Sequence, residues 1–227
     1  MLEQVTTTKP SKIVIIAGIL IATVFSLVLY TILLRAHLSV LNGVIYTRLI
    51  YWAEIVFLWW FAAQFENQPL LIWKEKQSGI KFILLWTVFL FLLILAANLI
   101  ADITTLLGYH QNKEILRQIS RFITGRYFLI AFISITAGVT EEIIFRGYIL
   151  TRLSLLFKNQ YIPIVISALL FSGMHYTYNS PREFVFTFLG GTIMAVHYNR
   201  YGNLKPLIIA HTLIDWAANT FLHYFIK

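Results

Sequence analysis

Residues 13–34 read IVIIAGILIATVFSLVLYTILL, 22 consecutive positions without a formal charge. An α-helix rises about 1.5 Å per residue, so this run is long enough to cross a hydrocarbon core of roughly 30 Å. Residues 82–101, FILLWTVFLFLLILAANLIA, give a second such run of 20. Neither run alternates polar and apolar positions as barrel strands do, which leaves the helix as the spanning form. The first run is followed by Arg35-Ala36-His37 rather than a small-residue cleavage site, so it reads as a retained span and not a secretory signal. The whole chain agrees: of 227 residues, 59% are hydrophobic and only 12% charged, too apolar for a soluble domain.

Working outward, weaker apolar runs occupy 49–63, 127–150, 161–175, 184–198 and 204–225. Together these predict an all-α fold, a polytopic transmembrane bundle of about seven helices. Between the third and fourth runs, Lys113, Arg117 and Arg121 recur every four residues, while Ile115, Leu116, Ile119, Phe122 and Ile123 take the other face. That pattern predicts an amphipathic helix lying in the membrane interface over 113–123. No repeat, low-complexity tract or Gly/Ser/Pro-rich linker divides the chain, which reads as one membrane domain over 1–227. The net charge of +8 sits mostly in the connections, where it meets lipid headgroups. The bilayer, rather than nucleic acid, is the partner it implies. There is no cysteine, which removes disulfides, thiolate metal sites, iron–sulfur clusters and a thiol nucleophile.

Ionisable side chains inside such runs are costly and mark candidate sites. One run carries Glu141-Glu142-Ile143-Ile144-Phe145-Arg146-Gly147. Glu142 and Arg146 are one helical turn apart in the favourable order for an ion pair, whereas Glu141 lies about 100° around the helix, outside that pairing. A second run closes on Phe171-Ser172-Gly173-Met174-His175. A third contains His211-Thr212-Leu213-Ile214-Asp215, whose i, i+4 spacing sets an imidazole and a carboxylate on one face. That pair can orient a ring through a hydrogen bond, ligate a metal or relay protons, and the spacing does not choose among these. His37, His110, His197, His223 and Glu54 read as structural. A Glu beside a His is the pairing that activates water for hydrolysis. There is no His-Glu-x-x-His, Gly-x-Ser-x-Gly or Gly-x-Gly-Asp, which leaves zinc-protease, serine and aspartyl-pair mechanisms unsupported.

The ordered set Glu-Glu-x-x-x-Arg, Phe-x-x-x-His, His-x-x-x-Asp resembles the CPBP family of intramembrane proteases, which includes CAAX prenyl proteases and Abi-type bacteriocin-processing and immunity proteins. The resemblance covers about 127–225, the protease-like core. It implies that Glu141 and His175 activate water and that His211 and Asp215 stabilise the oxyanion, with Glu142, Arg146 and Phe171 in support. Where CAAX proteases usually carry Asn, this chain has Asp215. An ionised Asp cannot donate a hydrogen bond to an oxyanion, so orienting His211, or a protonated state, suits it better. The resemblance further implies a membrane-associated peptide substrate and an integral, multi-pass placement, here expected in a bacterial cell membrane. No cofactor is expected, since a Glu/His pair suffices for general-base work, with zinc on Glu141, His175, His211 and Asp215 as the alternative. Two rival functions share the same residues: a non-catalytic bacteriocin-immunity or scaffold protein, and a proton-coupled transporter.

Overall fold

The computed structural model describes residues 10–35, 40–109 and 113–225; His37 and His110 lie outside them. Among the described residues the chain forms eight helices and no strand. α1 is Lys12–Arg35 and α2 is Val40–Phe61, which runs on in π-helical form over Ala62–Glu66. α3 is Ile80–Ala101, extended by a short turn at Ile103–Leu106, and α4 is Lys113–Ile123. α5 begins at Tyr127–Glu141, widens to a π-helix over Glu142–Leu150 and returns to α over Thr151–Leu156. α6 is Tyr161–Gly173, α7 Pro181–Tyr201 and α8 Lys205–Phe225. The all-α bundle read from the sequence is therefore the fold: seven long helices and the amphipathic α4.

Four helical segments, Lys12–Leu29, Leu41–Glu66, Ile80–Leu106 and Tyr127–Leu156, are long and apolar enough to cross a membrane. The apolar α6 is shorter, and α7 and α8 turn polar side chains inward, among them Arg182, Thr187, His197 and His211. The outer surface is correspondingly greasy: Leu84, Leu85, Val88, Leu92 and Leu99 of α3 all point away from the protein. α4 docks through Ser120, whose hydroxyl donates to the Leu222 carbonyl at 2.9 Å, and the Gly125 N–H just beyond it reaches His223 Nδ1 at 3.3 Å. His223 thus ties a connection to α8.

Two helices extend furthest past one end of their apolar runs, for one reason. The sequence starts the second span at 49 and ends the fourth at 150, next to Arg48 and Arg152. Both arginines instead lie inside helices, because each faces a carboxylate. Arg48 Nη1 is 3.7 Å from Glu141 Oε1. Arg152 donates from Nη2 at 2.7 Å and Nε at 3.0 Å to Glu66 Oε2, with both side chains fully buried. Glu66 Oε1 accepts from the Tyr148 hydroxyl at 2.8 Å, and Arg152 also donates to the Pro69 and Leu70 carbonyls. This cluster fastens the end of α2 and the segment after it to α5.

α5 and α8 approach closely at Gly138. A Cβ there would sit 2.9 Å from the Thr212 backbone nitrogen and 3.0 Å from the Ile208 carbonyl oxygen, and would meet the Thr212 hydroxyl as well. Only a hydrogen in place of a side chain keeps the helices this near, one turn from Glu142 and beside His211. Gly138→Val is expected to lower stability by about 1–3 kcal/mol, the usual cost of overpacking. Thermal unfolding in detergent measures it, and an unchanged midpoint would show that the helices can part freely.

Candidate active site

The residues singled out in the sequence come together where α5, α6, α7 and α8 meet, with α2 along one side. Glu142 is the hinge of the arrangement. It is fully buried, and its Oε1 accepts from Arg146 Nη1 at 2.8 Å and lies 2.8 Å from His211 Nδ1. The i, i+4 pair expected on an α-helix thus forms within a π-helical stretch, where each turn closes from i to i+5. The carbonyls of this widened stretch find partners elsewhere: the Ser167 hydroxyl of α6 donates to Phe145 O at 3.0 Å, and the Thr151 hydroxyl to Gly147 O at 2.8 Å. A π segment tolerated at this cost often marks a functional site.

Arg146, 1% exposed, is used up by its neighbours. Besides Glu142, it donates from Nη2 to the Gly191 carbonyl of α7 at 3.2 Å, and its guanidinium lies 4.4 Å from the Phe171 ring centre. Gly191 permits this approach, since a Cβ there would sit 3.1 Å from Phe171 Cδ1 and 3.4 Å from Arg146 Nη2. Phe171 therefore has a physical role in its motif. Its ring covers Arg146 and meets the edges of both His175, at 4.9 Å, and His211, at 6.1 Å. Its carbonyl lies 2.9 Å from His175 Nδ1. A backbone carbonyl can only accept, so Nδ1 carries the proton and Nε2 is left with a free lone pair.

His211 is held in the same manner from the other side. A proton on Nδ1 directed at Glu142 leaves Nε2 facing the site, 3.8 Å from Glu141 Oε2 and 3.8 Å from Asp215 Oδ1. Glu141 is 9% exposed, and among the described residues its nearest charged partners are His211 and Arg48. The Glu142–Arg146 pair read from the sequence forms, and Glu141 sits outside it, facing Arg48 and His211 instead. His175 makes no hydrogen bond or ion pair with Glu141. It lies near Asp215 and Glu183 instead, two carboxylates it acts on electrostatically. Among the described residues, no group of three or more His, Asp or Glu side chains converges as a metal-ligand set.

Four residues of this site escaped the sequence reading. Arg48 and Tyr51 come from α2, Tyr178 from the short 3-10 turn Tyr176–Tyr178 that follows α6, and Glu183 from the first turn of α7. Tyr178 lies within charge–charge range of Glu183, Asp215, Arg48 and Glu141. A signal for α2 was present: Arg48, Tyr51, Ile55, Leu58 and Ala62 recur at alternating spacings of three and four, the stripe of an inward face. Ser180 caps α7, its hydroxyl accepting from the Glu183 N–H at 3.4 Å, within a Ser-x-x-Glu sequence.

A comparison with family models matches residues 123–217 to the description "Type II CAAX prenyl endopeptidase Rce1-like". Comparisons with curated proteins and with solved structures give no match. The matched segment runs from the end of α4 through the first half of α8 and contains all three motifs, from Glu141 to Asp215. Over residues 123–217 the chain is thus similar to the Rce1-like family of type II CAAX prenyl endopeptidases, whose members are membrane-embedded peptide hydrolases.

Proposed function

We propose that this chain is an intramembrane endopeptidase that cleaves membrane-associated peptides, prenylated ones or peptides of the bacteriocin and signalling kind, in a bacterial cell membrane. The observation that carries the proposal is the division between the two glutamates. Glu142 fixes Arg146 and His211, while Glu141 Oε2 stands outside that pairing, 3.8 Å from His211 Nε2. Glu141, together with His175, takes a proton from water as the water oxygen attacks the scissile carbonyl carbon. The C=O electron pair moves onto oxygen, and His211 stabilises the charge. When the carbonyl re-forms, the C–N bond breaks and the proton passes to the departing amine. Asp215, 3.8 Å from His211 Nε2, accepts rather than donates, so its part is to orient and polarise His211.

The test uses the full chain in liposomes with an internally quenched, farnesylated peptide of the CAAX type and an unprenylated signal-type peptide. Glu141→Ala, His175→Ala and His211→Ala are each expected to lower kcat by about 10²–10⁴, the usual worth of a positioned acid or base. Cleavage by all three at the parental rate would remove the protease assignment and leave a scaffold or immunity role. Our reading needs no metal, so a strong chelator is expected to leave turnover unchanged. Inhibition that zinc reverses would transfer Glu141, His175, His211 and Asp215 to ligand roles.

A further inference from the structure

The hydrolase reading leaves one electrostatic need unmet. Attack on a peptide carbonyl creates an anion, and the site already holds Glu141, Glu142 and Asp215, with Glu183 nearby. In a medium of low polarity such charge needs preorganised donors. Arg146 is committed to Glu142 and the Gly191 carbonyl, and His211 Nδ1 to Glu142. Asp215 is a poor donor when ionised.

Arg48 is different. Its Nε and Nη1 are buried yet donate no hydrogen bond among the described residues. Its guanidinium is 5.4 Å from the Tyr51 ring centre, which limits where it can swing, and 3.7 Å from Glu141 Oε1. His211 Nε2 stands 3.8 Å from the other oxygen, Oε2. Arg48 and, in its imidazolium form, His211 Nε2 therefore flank the two oxygens of the glutamate that holds the attacking water. The carbonyl undergoing attack must lie beside that water, within reach of both. Buried donors left without partners in a resting site are costly unless a bound group completes them.

We propose that Arg48 of α2, outside the segment that matches the family model, is a catalytic residue of this chain: it donates to the oxyanion of the tetrahedral intermediate alongside His211. The proposal rests on the peptide-hydrolase reading. In chemical terms, the C=O pair that moves onto oxygen during attack is held by Arg48 N–H and by the Nε2–H of His211 as the imidazolium, whose Nδ1–H stays on Glu142. It returns to carbon as the C–N bond breaks, and no proton leaves Arg48.

The experiment compares the parent with Arg48→Ala and Arg48→Lys on the farnesylated peptide, with thermal unfolding of each protein in detergent. Arg48→Ala is expected to lower kcat by about 10²–10³ with KM little changed, at every pH tested, as when one oxyanion donor is removed. Added guanidinium at millimolar concentration is expected to restore part of the lost turnover in Arg48→Ala while leaving the parent unaffected. Arg48→Lys, which keeps the charge but loses the planar fork, is expected to fall between the two. Parental kcat in Arg48→Ala, a change confined to KM, or recovery of kcat as pH rises would each overturn the proposal. The last result would mean that Arg48 only keeps Glu141 ionised. No cleavage by the parent itself would overturn the hydrolase reading and this one with it, whereas an active parent with an unaffected Arg48→Ala overturns this one alone.

Discussion

Glu142→Ala is expected to abolish turnover and to lower stability by about 3–5 kcal/mol, the cost of leaving one partner of a buried ion pair uncompensated. Both losses have one origin. Glu142 Oε1 is the shared acceptor for Arg146 and His211, each at 2.8 Å, and Glu142 and Arg146 are 0% and 1% exposed. Removing the carboxylate strands a guanidinium between the Phe171 ring and the Gly191 carbonyl, and frees the imidazole to rotate. A double variant separates the effects. Glu142→Leu with Arg146→Met replaces both charges by apolar groups of similar size, a change that is often neutral for stability. It is expected to unfold near the parental midpoint and to remain inactive, because nothing then aims His211. Unfolding in detergent and peptide cleavage on the same preparations check both halves. Near-parental stability in the single variant would mean that water reaches Arg146.

Arg152→Ala carries the second large expectation, again about 3–5 kcal/mol, with no direct part in chemistry. Arg152 is wholly buried and holds Glu66 through two nitrogens, and it also donates to the Pro69 and Leu70 carbonyls. Its loss leaves the Glu66 carboxylate with only the Tyr148 hydroxyl, and those two carbonyls lose a donor. Glu66→Ala is expected to be as damaging for the converse reason, while Glu66→Gln with Arg152→Met is expected to recover most of the loss. α1 feels the same cluster, since a Cβ on Gly18 would collide with the Tyr148 hydroxyl. The measurement is the unfolding midpoint. A destabilisation of Arg152→Ala below about 1 kcal/mol, the range of exposed pairs, would show that the cluster is hydrated.

The contrast between these clusters shows what was legible in the chain. Glu142 and Arg146 were readable because both partners lie on one helix, four residues apart, so local geometry alone predicts their contact. Glu66 and Arg152 are 86 residues apart, and each looked like the polar end of an apolar run. The same holds for Arg48 and Glu141, which come from different helices. A charge read in isolation signals an exit from the membrane; only its partner, supplied by another helix, shows that the helix continues. The π-helical form of Glu142–Leu150 was likewise hidden, since it depends on Ser167 of α6 accepting the role of donor to Phe145 O.

The sequence by itself determined the solvent, the helical class and the three motifs, because burial of every backbone polar group in lipid permits few alternatives and because motif residues on one helix share a face by periodicity. Tertiary structure decided the rest. It brought His211 onto Glu142 and set which nitrogen of its ring faces Glu141, where the helices end, and that Arg48 enters the site. Those features depend on distances between segments far apart in the chain, set by close approaches such as that of Gly138 to Thr212, and no pattern within one helix encodes them.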